Sequence, residues 1–176
     1  MTDSQRQLRK DICEVGRRLW QREMVASNEG NISARLDDDT ILCTPTGVSK
    51  GFMDPNTLAL VTLEGDVLGD AKPSSEIGLH LAVYNQRADV GAVVHAHPPT
   101  ATAFAIAGTD PPTNILSETA TVFKSVPIAK YAMPGTEEVA ESVRPLLDEA
   151  DVILLKNHGA MTTAEDLFEA YHRMEV

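Results

Sequence analysis

Leu8, Ile12, Val15 and Leu19 recur at spacings of four, three and four, the apolar face of an amphipathic helix that ends near Met24. The stretch SNEGNISARL then sets Gly and Asn beside alternating residues, which predicts a turn into a short strand. The run Asp37 to Asp39 breaks that strand, and TILCT resumes as its hairpin partner. LALVTLEGDVLG reads as a second hairpin, turning at Glu64, Gly65 and Asp66.

From here the period changes. In KPSSEIGLHLAVY, serines precede Ile77, Leu81 and Tyr84, which predicts a helix start. DVGAVVHAH is a continuous apolar run, hence a buried strand, and PPTATAFAIAG starts a helix on prolines and stops at Gly108. VPIAKY is a further strand. GTEEVAESVRPLLDEA is a helix with Pro145 inside it, where a break is expected. DVILLKNHGAM is a buried strand running into a glycine turn, and Thr162 with Glu165 reads as a capping box opening the last helix. That helix reaches Val176 without a stop signal, so the chain reads as cut short there. No repeat or linker interrupts residues 1–176, and one α/β domain with helices flanking a single sheet is the simplest architecture.

Composition narrows the partners. A net charge of −11 argues against a nucleic-acid backbone or an anionic membrane, which require basic patches. Cys13 and Cys43 form no CxxC pair, which favours a reduced, cytoplasmic setting, and no run of apolar residues is long enough to cross a membrane.

The chemistry-bearing positions lie at the ends of the predicted strands. His95 and His97 are two residues apart on a strand and share a face, close enough to hold one metal ion. The same spacing also fits a hydrogen-bonded pair in a core. His158 ends a second apolar strand beside Gly159, and a third imidazole suggests a catalytic zinc site with an open position. Ser74 and Ser75 stand at a helix start, where free N–H groups favour an anion, although serine there is also a plain cap. Glu76 reads either as a charge compensating the helix dipole or as an acid/base near the metal. Gly30 to Ser33 and Thr44 to Gly47 are loops able to offer neutral donors to a phosphate. His80 and His172 read as structural or solvent-exposed.

In this order GNIS, TPTG, PSSE, HAHP and NHG resemble the class II aldolase/adducin superfamily, and within it the L-fuculose-phosphate aldolase branch. The resemblance implies an α/β/α fold with a central, largely antiparallel sheet. It implies a homotetramer with active sites between subunits and a C-terminal segment, beyond Val176, that covers the site. It assigns zinc, or another divalent ion such as manganese or cobalt, to His95, His97 and His158, with Glu76 as catalytic carboxylate and further ligand. It assigns the substrate phosphate to Gly30, Asn31, Thr46, Gly47, Ser74 and Ser75, neutral donors that an acidic surface does not forbid. The family's leaving-group tyrosine has no counterpart between Tyr84 and Tyr131, where ILSETATVF offers Glu118 for the proton role.

The activity so implied is metal-dependent retro-aldol cleavage of a ketose 1-phosphate, such as L-fuculose 1-phosphate, to dihydroxyacetone phosphate and an aldehyde. Relatives on this scaffold epimerise pentulose phosphates, dehydrate methylthioribulose phosphate or decarboxylate oxo-acid phosphates. The adducin head is a non-catalytic interaction module, a reading that predicts loss of the three histidines.

Overall fold

A computed structural model describes residues 1–123 and 125–176; the side chain of Glu118 also lies outside the described residues. The elements follow in chain order. Helix α1 (Asp3–Gln21) leads to strands β1 (Asn31–Arg35), β2 (Thr40–Cys43), β3 (Ala59–Thr62) and β4 (Val67–Leu68). Helix α2 (Ile77–Gln86), strand β5 (Ala92–Ala96) and helices α3 (Pro99–Ala107) and α4 (Ser117–Val122) come next. Strand β6 (Ile128–Ala129), helix α5 (Glu137–Val143), strands β7 (Val152–Leu155) and β8 (Gly159–Ala164) and helix α6 (Leu167–Glu175) complete the chain.

The strands form one sheet in the order β4-β3-β2-β1-β5-β8-β7-β6. Its pairs are antiparallel except β6 with β7, which run parallel. The alternation of side chains along a strand divides the apolar residues between two faces. Ile32, Val94, Leu154 and Ala160 pack with Ile12, Val15 and Leu19 of α1 and Tyr171 of α6. Val93, Ile153 and Met161 pack with Leu79 and Val83 of α2 and Val139 of α5. This covering on both sides explains why β5 and β7 read as continuous apolar runs. No helix among the described residues is long and apolar enough to cross a membrane.

Both predicted hairpins form, and α5 gives way to a 3₁₀ turn at Arg144–Leu146, around Pro145. Two expectations are corrected. Thr162 does not cap the last helix. It is buried in β8, opposite Val94 and Val152, and Asp166 caps α6 by accepting from Glu169 N at 2.9 Å. A β-branched residue fits the pleat, so cross-strand pairing overrides the local capping pattern. Secondly, α2 opens at Ile77, leaving Ser74 and Ser75 in the turn before it, with Glu76 at the N-cap.

That turn is tied to the loop after β2. Ser74 N donates to Thr44 O at 3.0 Å and Thr46 N to Lys72 O at 3.1 Å, across a bridge between Pro45 and Pro73. Thr44 in turn bonds β1, accepting from Ile32 N at 3.2 Å through Oγ1. The loops at the ends of β1 and β2 and the start of α2 are thereby held side by side.

Candidate active site

Those loops surround a cavity of about 260 Å³. Gly30, Asn31, Thr46, Gly47, Ser74 and Ser75 line it together with Glu76, His97 and His158. Of the residues singled out from the sequence, His95 lies just behind, fully buried, and Glu118 lies in α4 with its side chain undescribed. Gly30 is required twice over. Its φ is +70°, and a Cβ there would lie 2.8 Å from the His95 carbonyl oxygen.

The histidines come together from separate elements. His95 is the penultimate residue of β5 and His97 directly follows the strand, and their Nε2 atoms lie 3.3 Å apart. His158 sits in the β7–β8 turn, where Asn157 takes the left-handed conformation (φ 56°) that asparagine tolerates. Gly159 is the price of that approach, since a Cβ on it would meet His97 Cδ2 at 2.5 Å and Ala96 O at 2.6 Å. One ring nitrogen from each histidine lies within 4.8 Å of the others.

The arrangement fits a divalent cation. His95 Nδ1 is 2.9 Å from Ala160 O, an acceptor, so the proton of the neutral ring is on Nδ1 and the Nε2 lone pair is free. His97 Nδ1 lies 3.2 Å from Glu29 Oε2, which orients the second ring in the same way. Glu76 approaches from the other side, Oε2 at 3.4 Å from His95 Nε2 and Oε1 at 3.4 Å from His158 Nε2. Oε1 is buried without a hydrogen-bond partner. Converging lone pairs beside an unpartnered carboxylate oxygen lack a shared positive charge, and a metal ion would supply it.

Electrostatics agree with this reading. Burial and the neighbouring His95 lower the His158 pKa to about 4, and burial also lowers His97. Both rings are therefore neutral, as ligation requires, at ordinary pH. For Glu76 burial alone would raise the pKa, but its interactions with His95, His158 and the Asn31 amide outweigh burial, and the balance falls at about 2. The carboxylate form is thus the resting one. Asn31 Nδ2 donates to Glu76 Oε2 at 2.8 Å.

Two residues at the site escaped the sequence reading. Glu29 carries no motif, and its contact with His97 spans 68 positions. Lys50 lines the cavity yet is 2 % exposed, its ammonium donating to Asn28 O at 2.9 Å and Val48 O at 2.7 Å. Burial lowers its pKa to about 8. The cavity wall is therefore not composed of neutral donors alone, as the loops had suggested. His80 is buried, with Nε2 2.5 Å from Asn31 Oδ1, so of its two predicted environments it has the structural one, while His172 is exposed.

The model of the class II aldolase and adducin N-terminal domain matches residues 10–176. An L-fuculose phosphate aldolase of Methanococcus maripaludis is 35% identical over 167 residues, covering 94% of this chain and 89% of its own length. A 3-oxo-tetronate 4-phosphate decarboxylase of Haemophilus influenzae is 34% identical over 181 residues, covering 99% of this chain and 84% of its own. Among solved structures, YgbL of Escherichia coli matches with a TM-score of 0.89 at 31% identity, over 97% of this chain and 84% of that one. An L-fuculose 1-phosphate aldolase matches with a TM-score of 0.90 at 26% identity, over 99% and 82% of the two chains.

Proposed function

Because this chain belongs to the class II aldolase and adducin family, we propose that it is a zinc-dependent lyase that breaks a carbon–carbon bond next to a ketone in a small sugar phosphate. The observation that carries this reading is the meeting of three imidazoles with Glu76, one of whose oxygens is unpartnered, at the wall of a cavity lined by hydroxyl and amide donors.

His95, His97 and His158 would hold the metal, with Glu76 close enough to join them before substrate arrives. When bound, the ion supplies a Lewis acid that draws electron density out of the ketone. The chain's own residues do the rest. Asn31, Thr46, Gly47, Ser74 and Ser75 bind the phosphate and fix the ketone's approach, with Lys50 adding a charge behind them. In a ketose 1-phosphate the C3–C4 bond then breaks, its electron pair stays on C3, and the C4 oxygen gives up its proton. Glu76 shuttles a proton to C3, leaving dihydroxyacetone phosphate and an aldehyde. Glu118 stands for the proton at the leaving oxygen, in place of the missing tyrosine.

A second reading rests on the decarboxylase relatives, which match as closely as the aldolases. Loss of carbon dioxide from a 3-oxo-tetronate 4-phosphate leaves the same three-carbon enediolate, and protonation at carbon gives the same dihydroxyacetone phosphate. That reaction requires no base at a leaving oxygen. For assembly we read a homotetramer with sites between subunits, supported by Ile106, Ile115 and Leu116, apolar yet 60, 72 and 60 % exposed. A cytoplasmic setting fits the free thiols of Cys13 and Cys43.

The test supplies zinc-loaded protein with L-fuculose 1-phosphate and with 3-oxo-tetronate 4-phosphate, following dihydroxyacetone phosphate, aldehyde and carbon dioxide. Release of aldehyde from the first supports the aldolase, and release of carbon dioxide from the second the decarboxylase. Glu76→Gln should keep the metal and lower turnover about 10²–10⁴-fold, because an amide carries no transferable proton. Turnover untouched by that substitution, or by removal of zinc, would overturn the reading.

A further inference from the structure

Glu76, His80 and Tyr84 recur every four residues from the N-cap of α2 onward, and Asn31 and Ser33 share a face of β1. Four helical residues advance about 6 Å, and two strand residues about 6.6–6.8 Å. Where helix and strand pack together the repeats stay in step, and the side chains interleave. Asn31 Nδ2 is 2.8 Å from Glu76 Oε2, and Asn31 Oδ1 is 2.5 Å from His80 Nε2. Ser33 Oγ is 2.6 Å from His80 Nδ1 and 2.8 Å from the Tyr84 hydroxyl. His80, Ser33, Asn31 and Tyr84 are between 0 and 3 % exposed, so water does not compete for these bonds.

The direction of every bond follows from one end. Ionised Glu76 only accepts, so Asn31 presents its NH₂ to it and its oxygen to His80. His80 Nε2 must then carry the proton, and Nδ1 must accept. Ser33 has one hydrogen, which goes to Nδ1, so the Tyr84 hydroxyl donates to Ser33. A ring held on both nitrogens in this way stays neutral. The amide nitrogen of Asn31 has a second hydrogen, which leaves it able to meet substrate while it holds the carboxylate.

We propose that His80 is a positioning residue for the reaction proposed above: through Asn31 it fixes which way the amide faces and so holds Glu76 in place for proton transfer. Among the described residues the His80 side chain hydrogen-bonds none of the proposed metal ligands, and it does not line the cavity. Asparagine has two nearly isosteric orientations, and the reversed one would set an oxygen against the Glu76 carboxylate. The Nε2–H of His80 excludes it.

Two measurements test this. In ¹⁵N-histidine NMR of the whole protein, metal-free and zinc-loaded at pH 7, His80 should show a protonated Nε2 and an unprotonated Nδ1. The opposite tautomer would overturn the chain of bonds whatever the protein catalyses. In kinetics, His80→Asn places its amide near the position of Nδ1 and cannot reach Asn31, whereas the longer His80→Gln puts an N–H near Nε2. His80→Asn should lower kcat about 10–100-fold, the usual cost of losing such an outer partner, with zinc retained and any rise in KM, through the loosened Asn31, smaller than the fall in kcat. His80→Gln should recover most of that loss. Equal losses in both variants, or a loss in KM alone, would refute the positioning role. If wild-type protein turns over neither sugar phosphate, the reaction reading fails, and the tautomer still decides the hydrogen-bonded chain.

Discussion

Glu76 stands between two buried polar regions with the same residue types and opposite bookkeeping. Behind it, His80 has both ring nitrogens engaged, by Asn31 and Ser33, and Asn31 has both ends of its amide engaged. In front of it, His95 is equally buried, its Nδ1 meets the Ala160 carbonyl, and its Nε2 faces two groups with lone pairs, the Nε2 of His97 and Oε2 of Glu76. A buried polar group without a partner costs about 1–3 kcal/mol. The rear region needs nothing further. The front region is costly as it stands, and that cost is what a bound cation would relieve.

The contrast is broken most severely at the front. His95→Ala removes one of the three nitrogens, and the two that remain, even with Glu76, should hold zinc far more weakly. Wild-type protein dialysed against zinc should hold about one ion per chain, and the variant close to none, with turnover lost in step. Elemental analysis decides this, and full metal retention by His95→Ala would move the site elsewhere. The rear region gives the control, because its variants should keep their zinc.

How much of this could be read from the sequence follows the same division. HAHP and NHG are local, and strand periodicity was enough to bring His95 and His97 together. The loops proposed to cradle the phosphate were legible as short polar motifs, although their side-by-side packing depends on the Pro45–Pro73 bridge. The rear region was not legible, because Glu76, His80 and Tyr84 form a line only if α2 lies on the face of β1 that carries Asn31 and Ser33. Lys50 was missed for a related reason: its burial comes from packing against Gly16 of α1, where an added Cβ would lie 2.6 Å from the Lys50 carbonyl oxygen. Thr162 failed in the opposite direction, a local pattern overruled by a strand that the sequence reading did not separate from its turn.

A smaller effect is expected at the cradle. Ser75 is exposed, and among the described residues its hydroxyl makes no hydrogen bond, so alanine there should cost the fold little. If that hydroxyl meets the phosphate, its loss removes a charge-assisted bond worth about 1.5–3 kcal/mol, about 10–150-fold in kcat/KM. The loss should be far smaller with the unphosphorylated ketose. Equal losses with the two substrates would mean that Ser75 serves the ketone or the fold, and the anion is held elsewhere.

The mildest test uses pH on metal-free protein. His158 has a pKa of about 4 and His80 about 3, burial being the largest cause for each, against 6.5 for an ordinary histidine. As pH falls below 6.5 the unfolded chain takes up protons that the folded chain refuses, so stability declines through the window toward 4. It returns as pH rises. Glu76, held at about 2, adds a further loss only at lower pH. Each histidine so held contributes up to about 1.4 kcal/mol per pH unit in that window, or about 3–6 °C in Tm for a chain of this size. In His80→Gln one of those groups no longer titrates, so the fall in Tm between pH 6.5 and 5 should be shallower than in wild type. The two curves should differ there even if the variant is less stable throughout. Parallel curves would mean that His80 takes a proton as readily in the folded protein as in the unfolded chain, and the rear region would lose its claim to be complete.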